Sequence, residues 1–243
     1  MNPGPRTACI VQARVGSTRL PGKVLETLGK APVLEHVLRR CHAIAGIDQV
    51  VCATVEGIDG DAVAALAENL GVAVYRGSEC DVLARYHGAA HATHADIVLR
   101  VTSDCPLIDP EVCAAVLRLR HDAEADYAAN NMPPSWPHGL DCEAFTIAAL
   151  DEAAATATAA EDHEHVTPWI RRNRAFRRVN LAGPGGALTA QRWTLDYPED
   201  LAFLRAVYER LPAGGSGQSW RAAADIVSRE PQLALINEAR RQR

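Results

Sequence analysis

Short apolar runs separated by stretches of helical period fill the first half of the chain, and that alternation limits the fold more than any other feature. Residues 7–13, 49–55, 71–75 and 96–102 are too short and too continuously apolar to be amphipathic helices, and read as buried strands. Between them, residues 31–44 place Val33, Val37, Leu38, Cys41 and Ile44 on one helical face, and 61–70 and 81–94 have helical spacing. Strands without a polar face that alternate with helices imply a largely parallel sheet covered on both sides.

Directly after the first run comes Val11-Gln-Ala-Arg-Val-Gly-Ser-Thr-Arg-Leu-Pro-Gly-Lys23. In a parallel sheet this loop leaves the carboxyl end of a strand, where open α/β sheets bind ligands. It gathers Arg14, Arg19 and Lys23 around Gly16, Ser17 and Gly22, which permit close backbone approach. That is the chemistry of a polyphosphate cradle, with Pro21 stiffening the turn. The spacing matches neither G-x-x-x-x-G-K-[ST] nor G-x-G-x-x-G, which argues against an ordinary P-loop or dinucleotide fold. The plainer alternative is a solvated basic turn ahead of a helix.

Composition narrows the class. A chain of 243 residues with 48% hydrophobic content suits one catalytic domain, expected over residues 1–211. Gly214-Gly-Ser-Gly217 would join it to a helical tail, 212–243, packed on the domain or on a partner subunit. A formal charge of −5 and few aromatics disfavour nucleic acid as a partner despite the basic loop. Seven cysteines without a C-x-x-C pair read as reduced core thiols, and hence a cytoplasmic protein. No apolar run approaches the roughly 20 residues of a membrane span, and the N-terminus lacks a signal-peptide pattern, so no membrane is expected.

The remaining candidates are mostly acids and histidines. Asp104, in Thr-Ser-Asp-Cys-Pro after the fourth strand, is placed to hold Mg²⁺, a hard ion satisfied by one or two carboxylates plus phosphate oxygens. Asp109-Pro110-Glu111 reads instead as a helix cap and first turn. His87, His91 and His94 share a helical face, but no carboxylate or cysteine near them completes a shell, so they read as exposed imidazoles, not a catalytic zinc. The stretch from Asn130 to His138 is rich in proline and amides and reads as a long lid or binding loop, and His138, Gly139, Asp141 and Glu143 lead into an expected strand with Asp141 and Glu143 on one face. His163 and His165 do not form H-E-x-x-H, and His165 is left between contact with an anionic substrate and a place in a helix or interface. Residues 176–182 and 191–195 read as two more strands. Asp196, ending the second, is either a metal ligand at a strand's carboxyl end or the N-cap of the following Pro-Glu helix.

Several blocks carry a resemblance: residues 12–23, Arg76-Gly-Ser-Glu-Cys-Asp-Val-Leu-Ala-Arg-Tyr86, Arg100-Val-Thr-Ser-Asp-Cys-Pro-Leu-Ile-Asp109, Gly139-Leu-Asp-Cys-Glu143, Glu164-His-Val-Thr-Pro168 and Arg192-Trp-Thr-Leu-Asp-Tyr-Pro-Glu-Asp-Leu201. In this order, over nearly the whole chain, they resemble the CMP-sugar synthetases, the acylneuraminate and 3-deoxy-manno-octulosonate cytidylyltransferases, and above all their spore-coat polysaccharide relatives. The resemblance implies a Rossmann-like, mostly parallel mixed sheet of the nucleotide-diphospho-sugar transferase (glycosyltransferase-A-like) type, a homodimer, and transfer of CMP from CTP to a small anionic acceptor such as a sugar acid. It implies Arg14, Arg19 and Lys23 at the reacting phosphates, Gln12, Ala13, Gly16, Ser17, Arg76, Arg85 and Ser103 at the nucleotide, and Asp104 with Asp196 on Mg²⁺. His138, Asp141, Glu143 and His165 would serve the acceptor, in a pocket inserted around residues 127–145. A metal-dependent glycosyltransferase fits less well, because Ser-Asp-Cys-Pro lacks D-x-D spacing. A silent nucleotide-binding protein sits poorly with Lys23, Asp104 and Asp196 being present together.

Overall fold

The strand Thr7–Gln12, β1, shows how the molecule is layered. Successive strand residues face opposite sides of a sheet, so Cys9 and Val11 join one buried cluster while Ala8 and Ile10 join another. The computed structural model describes residues 4–212 and 218–241, so the expected joint at 214–217 lies outside the described residues.

Helix α1 (Val33–His42), strand β4 (Gln49–Val55), helix α2 (Ile58–Asn69), strand β5 (Ala73–Gly77), helix α3 (Val82–Ala92), strand β6 (Ile97–Thr102) and helix α4 (Pro110–Asp122) follow the expected alternation. A small hairpin of β2 (Thr27–Leu28) and β3 (Ala31–Pro32) takes the first residues expected for α1. The rest comprises β7 (Tyr127–Ala129), β8 (Glu143–Thr146), α5 (Ile147–Thr156), α6 (Ala160–His165), α7 (Pro168–Arg172), β9 (Arg178–Asn180), α8 (Pro198–Tyr208) and α9 (Trp220–Arg229).

Seven strands form one sheet in the order β5-β4-β1-β6-β8-β7-β9. Only β8 among them runs antiparallel to its neighbours. The sheet is therefore mixed and mostly parallel, as expected. From β1 the chain winds outward through β4 and β5, then returns to β6 on β1's other side. That reversal leaves a crevice outside the carboxyl ends of β1 and β6.

One sheet face is covered by α1, α2 and α4 through residues such as Leu34, Leu38, Val63 and Val116, the other by α3 and α5 through Leu83, Tyr86, Ala89, Leu150 and Ala153. A third cluster packs α8 and α9 around Trp193, Phe203, Leu204, Ala223 and Val227. Local chemistry marks the helix starts: Asp109 Oδ1 accepts from the N–H groups of Glu111 and Val112 at 2.9 and 3.2 Å, with Pro110 as the first helical residue. Among the described residues all seven cysteines are free, and only Cys80 is exposed.

Two expected strands differ. Residues 191–195 form no strand: His138 and Arg192 make an isolated bridge, and Gly139, at φ 117°, lets the backbone pass so close that a Cβ there would lie 2.6 Å from the Trp193 carbonyl carbon. Asp141 precedes β8, so it does not share a strand face with Glu143.

Candidate active site

The crevice holds a cavity of about 640 Å³ whose wall includes Gln12, Ala13, Arg14, Gly16, Ser17, Arg19, Lys23, Ser103, Asp104, His165 and Asp196. The loop after β1 closes on itself: Gly22, at φ 72°, donates its N–H to Val15 O at 3.0 Å, and Ser17 Oγ accepts from Leu20 N. A left-handed φ favours glycine here, and the turn starts the helical Lys23–Leu25 segment that anchors Val24 in the core. Lys23 is thereby aimed across the cavity.

Its ammonium donates to Asp104 Oδ2 at 2.9 Å, Asp196 Oδ1 at 2.9 Å and the Leu195 carbonyl at 2.8 Å. Asp104 reaches this point from the end of β6. Asp196 is brought there because Leu195 N donates to Asp104 O at 2.8 Å, laying residues 193–196 beside that strand end. Burial alone would raise both carboxyl pKa values, but Lys23 leads the groups that more than offset it; Asp104 is lowered and Asp196 falls to about 2. Burial alone would likewise lower the pKa of Lys23, and the two carboxylates raise it instead.

Asp196 is not a helix cap. The carboxylate of Asp200 takes the N–H groups of Asp196 and Tyr197, both at 3.0 Å, and also pairs with Arg192 Nε at 2.9 Å. The Asp196 side chain instead collects cations, with Arg19 Nη2 at 2.7 Å on Oδ1 and Arg192 Nη2 at 2.8 Å on Oδ2. Arg14 Nη2 meets Glu164 Oε1 at 3.2 Å. The side chains of Arg14 and Arg19 stay 41% and 50% exposed, whereas that of Lys23 is 13% exposed, so the arginines are the adjustable cations and Lys23 the fixed one.

The other expected residues sit elsewhere. Arg76 turns toward α2, pairing with Asp61 at 2.8 Å, and is not part of the cavity lining. Arg85 is buried behind the wall, donating to Ser78 O at 2.5 Å; burial lowers its pKa, and the charges of Arg14, Glu164 and Glu79 also act on it. Glu143 is fully committed within the protein: it accepts from Arg100 Nη1 at 2.7 Å, Tyr127 O–H at 2.5 Å and Thr167 Oγ1 at 2.7 Å. It positions Arg100, which does line the cavity and approaches Gln12 Oε1 at 3.4 Å. His138 and Asp141 lie outside that lining, with His138 Nδ1 3.4 Å from Arg192 Nη1 and Asp141 Oδ2 accepting from Gly139 N.

Thr18, Val24, Glu79, Arg100, Thr102 and Glu164 also line the cavity without having been singled out as site residues. Arg100 had a sequence signal, a cation inside the apolar run Ile97-Val-Leu-Arg-Val-Thr102. Glu79 and Glu164 stood within the blocks that carry the resemblance, but with no role attached to them. The assembly is a carboxylate pair bridged by one ammonium, beside a cationic loop, and it suits a polyphosphate and a hard divalent cation.

Comparison with known proteins gives the family. An uncharacterized protein of Methanocaldococcus jannaschii is 32% identical over 236 residues, covering 96% of this chain and 95% of that one. The spore coat polysaccharide biosynthesis protein SpsF of Bacillus subtilis is 33% identical over 240 residues, covering 95% and 97%. Among solved structures, a cytidylyltransferase from Leptospira borgpetersenii superposes with a TM-score of 0.87 at 27% identity, covering 95% of this chain and 97% of that one. The family model described as cytidylyltransferase matches residues 8–209, and the chain belongs to that family.

Proposed function

We propose that the chain transfers CMP from CTP to a sugar acid or comparable oxygen nucleophile, with Mg²⁺ and release of pyrophosphate. The observation that carries this reading is the Lys23 ammonium bridging Asp104 and Asp196 beneath Arg14 and Arg19. Exposed ion pairs are worth about 0–1 kcal/mol, so Arg14 and Arg19 can exchange their carboxylate partners for phosphate oxygens at little cost. Lys23, less exposed and held on three sides, keeps its charge beside the phosphoryl group under attack. The acceptor oxygen forms a bond to the α-phosphorus, the bond to pyrophosphate breaks, and the cations stabilise charge gathering on the leaving group. Arg100 and His165 also line the cavity and offer donors to an anionic acceptor.

Asp104 and Asp196 would hold the metal, since both offer hard oxygens to one cation position that Lys23 Nζ now takes. Bound there, Mg²⁺ would neutralise phosphate charge. A sugar carboxylate or an acidic anomeric hydroxyl needs little help from a strong base. The reading is tested by pyrophosphate release from CTP, UTP, ATP and GTP against a panel of sugar acids with Mg²⁺. CTP-dependent release with at least one acceptor is expected; release from no nucleotide with any acceptor would overturn it.

A further inference from the structure

On the sheet face away from α1, three potential ligands converge outside the cavity. His87 and His91 stand one turn apart on α3, and Asp151 faces them from α5. Asp151 Oδ1 lies 3.0 Å from His87 Nε2 and 2.7 Å from His91 Nε2, and the three ligand atoms lie within 4.8 Å of one another. The imidazole centroids are 4.4 Å apart and the rings are inclined by 60°. His94 does not belong to the group: α3 ends at Ala92, and His94 leaves the helix with φ 52°. The carboxylate missing near the histidines in the sequence is thus supplied from 60 residues further on.

We propose that His87, His91 and Asp151 form a transition-metal site of the zinc class that clamps α3 to α5. Two imidazole nitrogens and a carboxylate oxygen are a donor set of intermediate softness that suits Zn²⁺ better than Mg²⁺. Ligand bonds of about 2.0–2.2 Å around a tetrahedral ion separate neighbouring donors by about 3.4 Å. The observed 2.7 and 3.0 Å therefore need to open by about 0.7 and about 0.4 Å. Side chains that are 36, 52 and 45% exposed can make that adjustment, and water can take the fourth position. With neutral imidazoles the ligands carry one negative charge, so a divalent ion is favoured electrostatically. The clamp would hold the helix that also carries Asp81, its own N-cap, which pairs with His163 of α6 at 2.9 Å.

The test titrates chelator-stripped full-length protein with ZnCl₂ by calorimetry in excess Mg²⁺, which competes at hard-oxygen sites. One Zn²⁺ per chain is expected, with a rise in melting temperature. Affinity should weaken at least tenfold and the rise should vanish in His91→Gln and Asp151→Asn, because losing even an outer-shell partner commonly costs that much. Co²⁺ should give the visible absorption of a four-coordinate ion in the parent only. Circular dichroism of the partly exposed variants would confirm folding, and their pyrophosphate release should match the parent's. Equal Zn²⁺ affinity in the parent and both variants, or no Zn²⁺ binding by the parent, would overturn the proposal.

Discussion

Replacing Lys23 with Met keeps most of the side chain's length and removes its charge from between Asp104 and Asp196. The Asp196 carboxyl falls from 3.8 to about 2, although burial pushes it up, and Lys23 is foremost among the groups responsible. At about 1.4 kcal/mol for each tenfold, the net preference for the charged form is about 2.5 kcal/mol. Arg192 and Arg19 share that stabilisation, so Lys23 accounts for part of it, and a share of even half would be about 1.3 kcal/mol, a factor of about ten. Without it the two carboxylates face each other less well compensated, and a divalent cation no longer competes with an ammonium for the same oxygens. Nucleotide-free Lys23→Met should therefore bind Mg²⁺ about tenfold more tightly than the parent, while its turnover falls more than tenfold. Calorimetry gives the first quantity and pyrophosphate release the second. Unchanged or weaker Mg²⁺ binding by the folded variant would refute the reasoning, whatever happened to turnover.

Glu143→Ala breaks a buried ion pair and strands Arg100, so it should cost about 3–5 kcal/mol in urea unfolding; a loss below about 1 kcal/mol with a raised KM for the acceptor would return Glu143 to substrate contact. The folded-state values of Asp104 and Asp196 are depressed, so their stabilising contributions are complete above the ordinary 3.8 and fade as pH falls through the folded values, which for Asp196 is about 2. Lys23 is raised, so its contribution is full below 10.5 and is lost as pH climbs through its higher folded value. Melting curves across pH should show both slopes in the parent and flatter ones in Lys23→Met; identical profiles would refute the coupling.

What the sequence made legible follows how local each signal is. β4 appears where the six consecutive apolar or β-favouring residues Val50 to Val55 place it, and Asp109-Pro110-Glu111 caps α4 as its chemistry requires. The loop cations and Asp104 were readable because each follows an apolar strand, which in a parallel sheet directs them to one edge; Asp196 reaches the same edge from a segment that forms no strand. Residues 191–195 also looked like a strand, yet the ladder partner is the single residue His138, and only tertiary packing reveals that. Glu143 and Arg76 are charged residues in the right blocks whose side chains are taken by Arg100 and Asp61, pairings across 43 and 15 positions that no spacing rule reports. Asp200, four residues past Asp196, took the capping role that sequence left open for its neighbour. The His87–Asp151 contact was unreadable for the same reason, since it exists only once α5 docks beside α3.

The bridge made by Lys23 also has a consequence for the order in which the molecule can assemble. Its partners lie 81 and 173 positions along the chain, and the Arg19 contact to Asp196 spans 177. Closing such spans costs loop entropy before any contact is gained, and contacts of this length slow folding. During synthesis the basic loop emerges long before either acid, so β1, β4 and β5 can pair while the cavity has only its positive wall. A nascent chain arrested between residues 104 and 196 would hold Lys23 on one carboxylate alone. The pocket is therefore a late product of folding, completed when the segment carrying Asp196 settles against the end of β6.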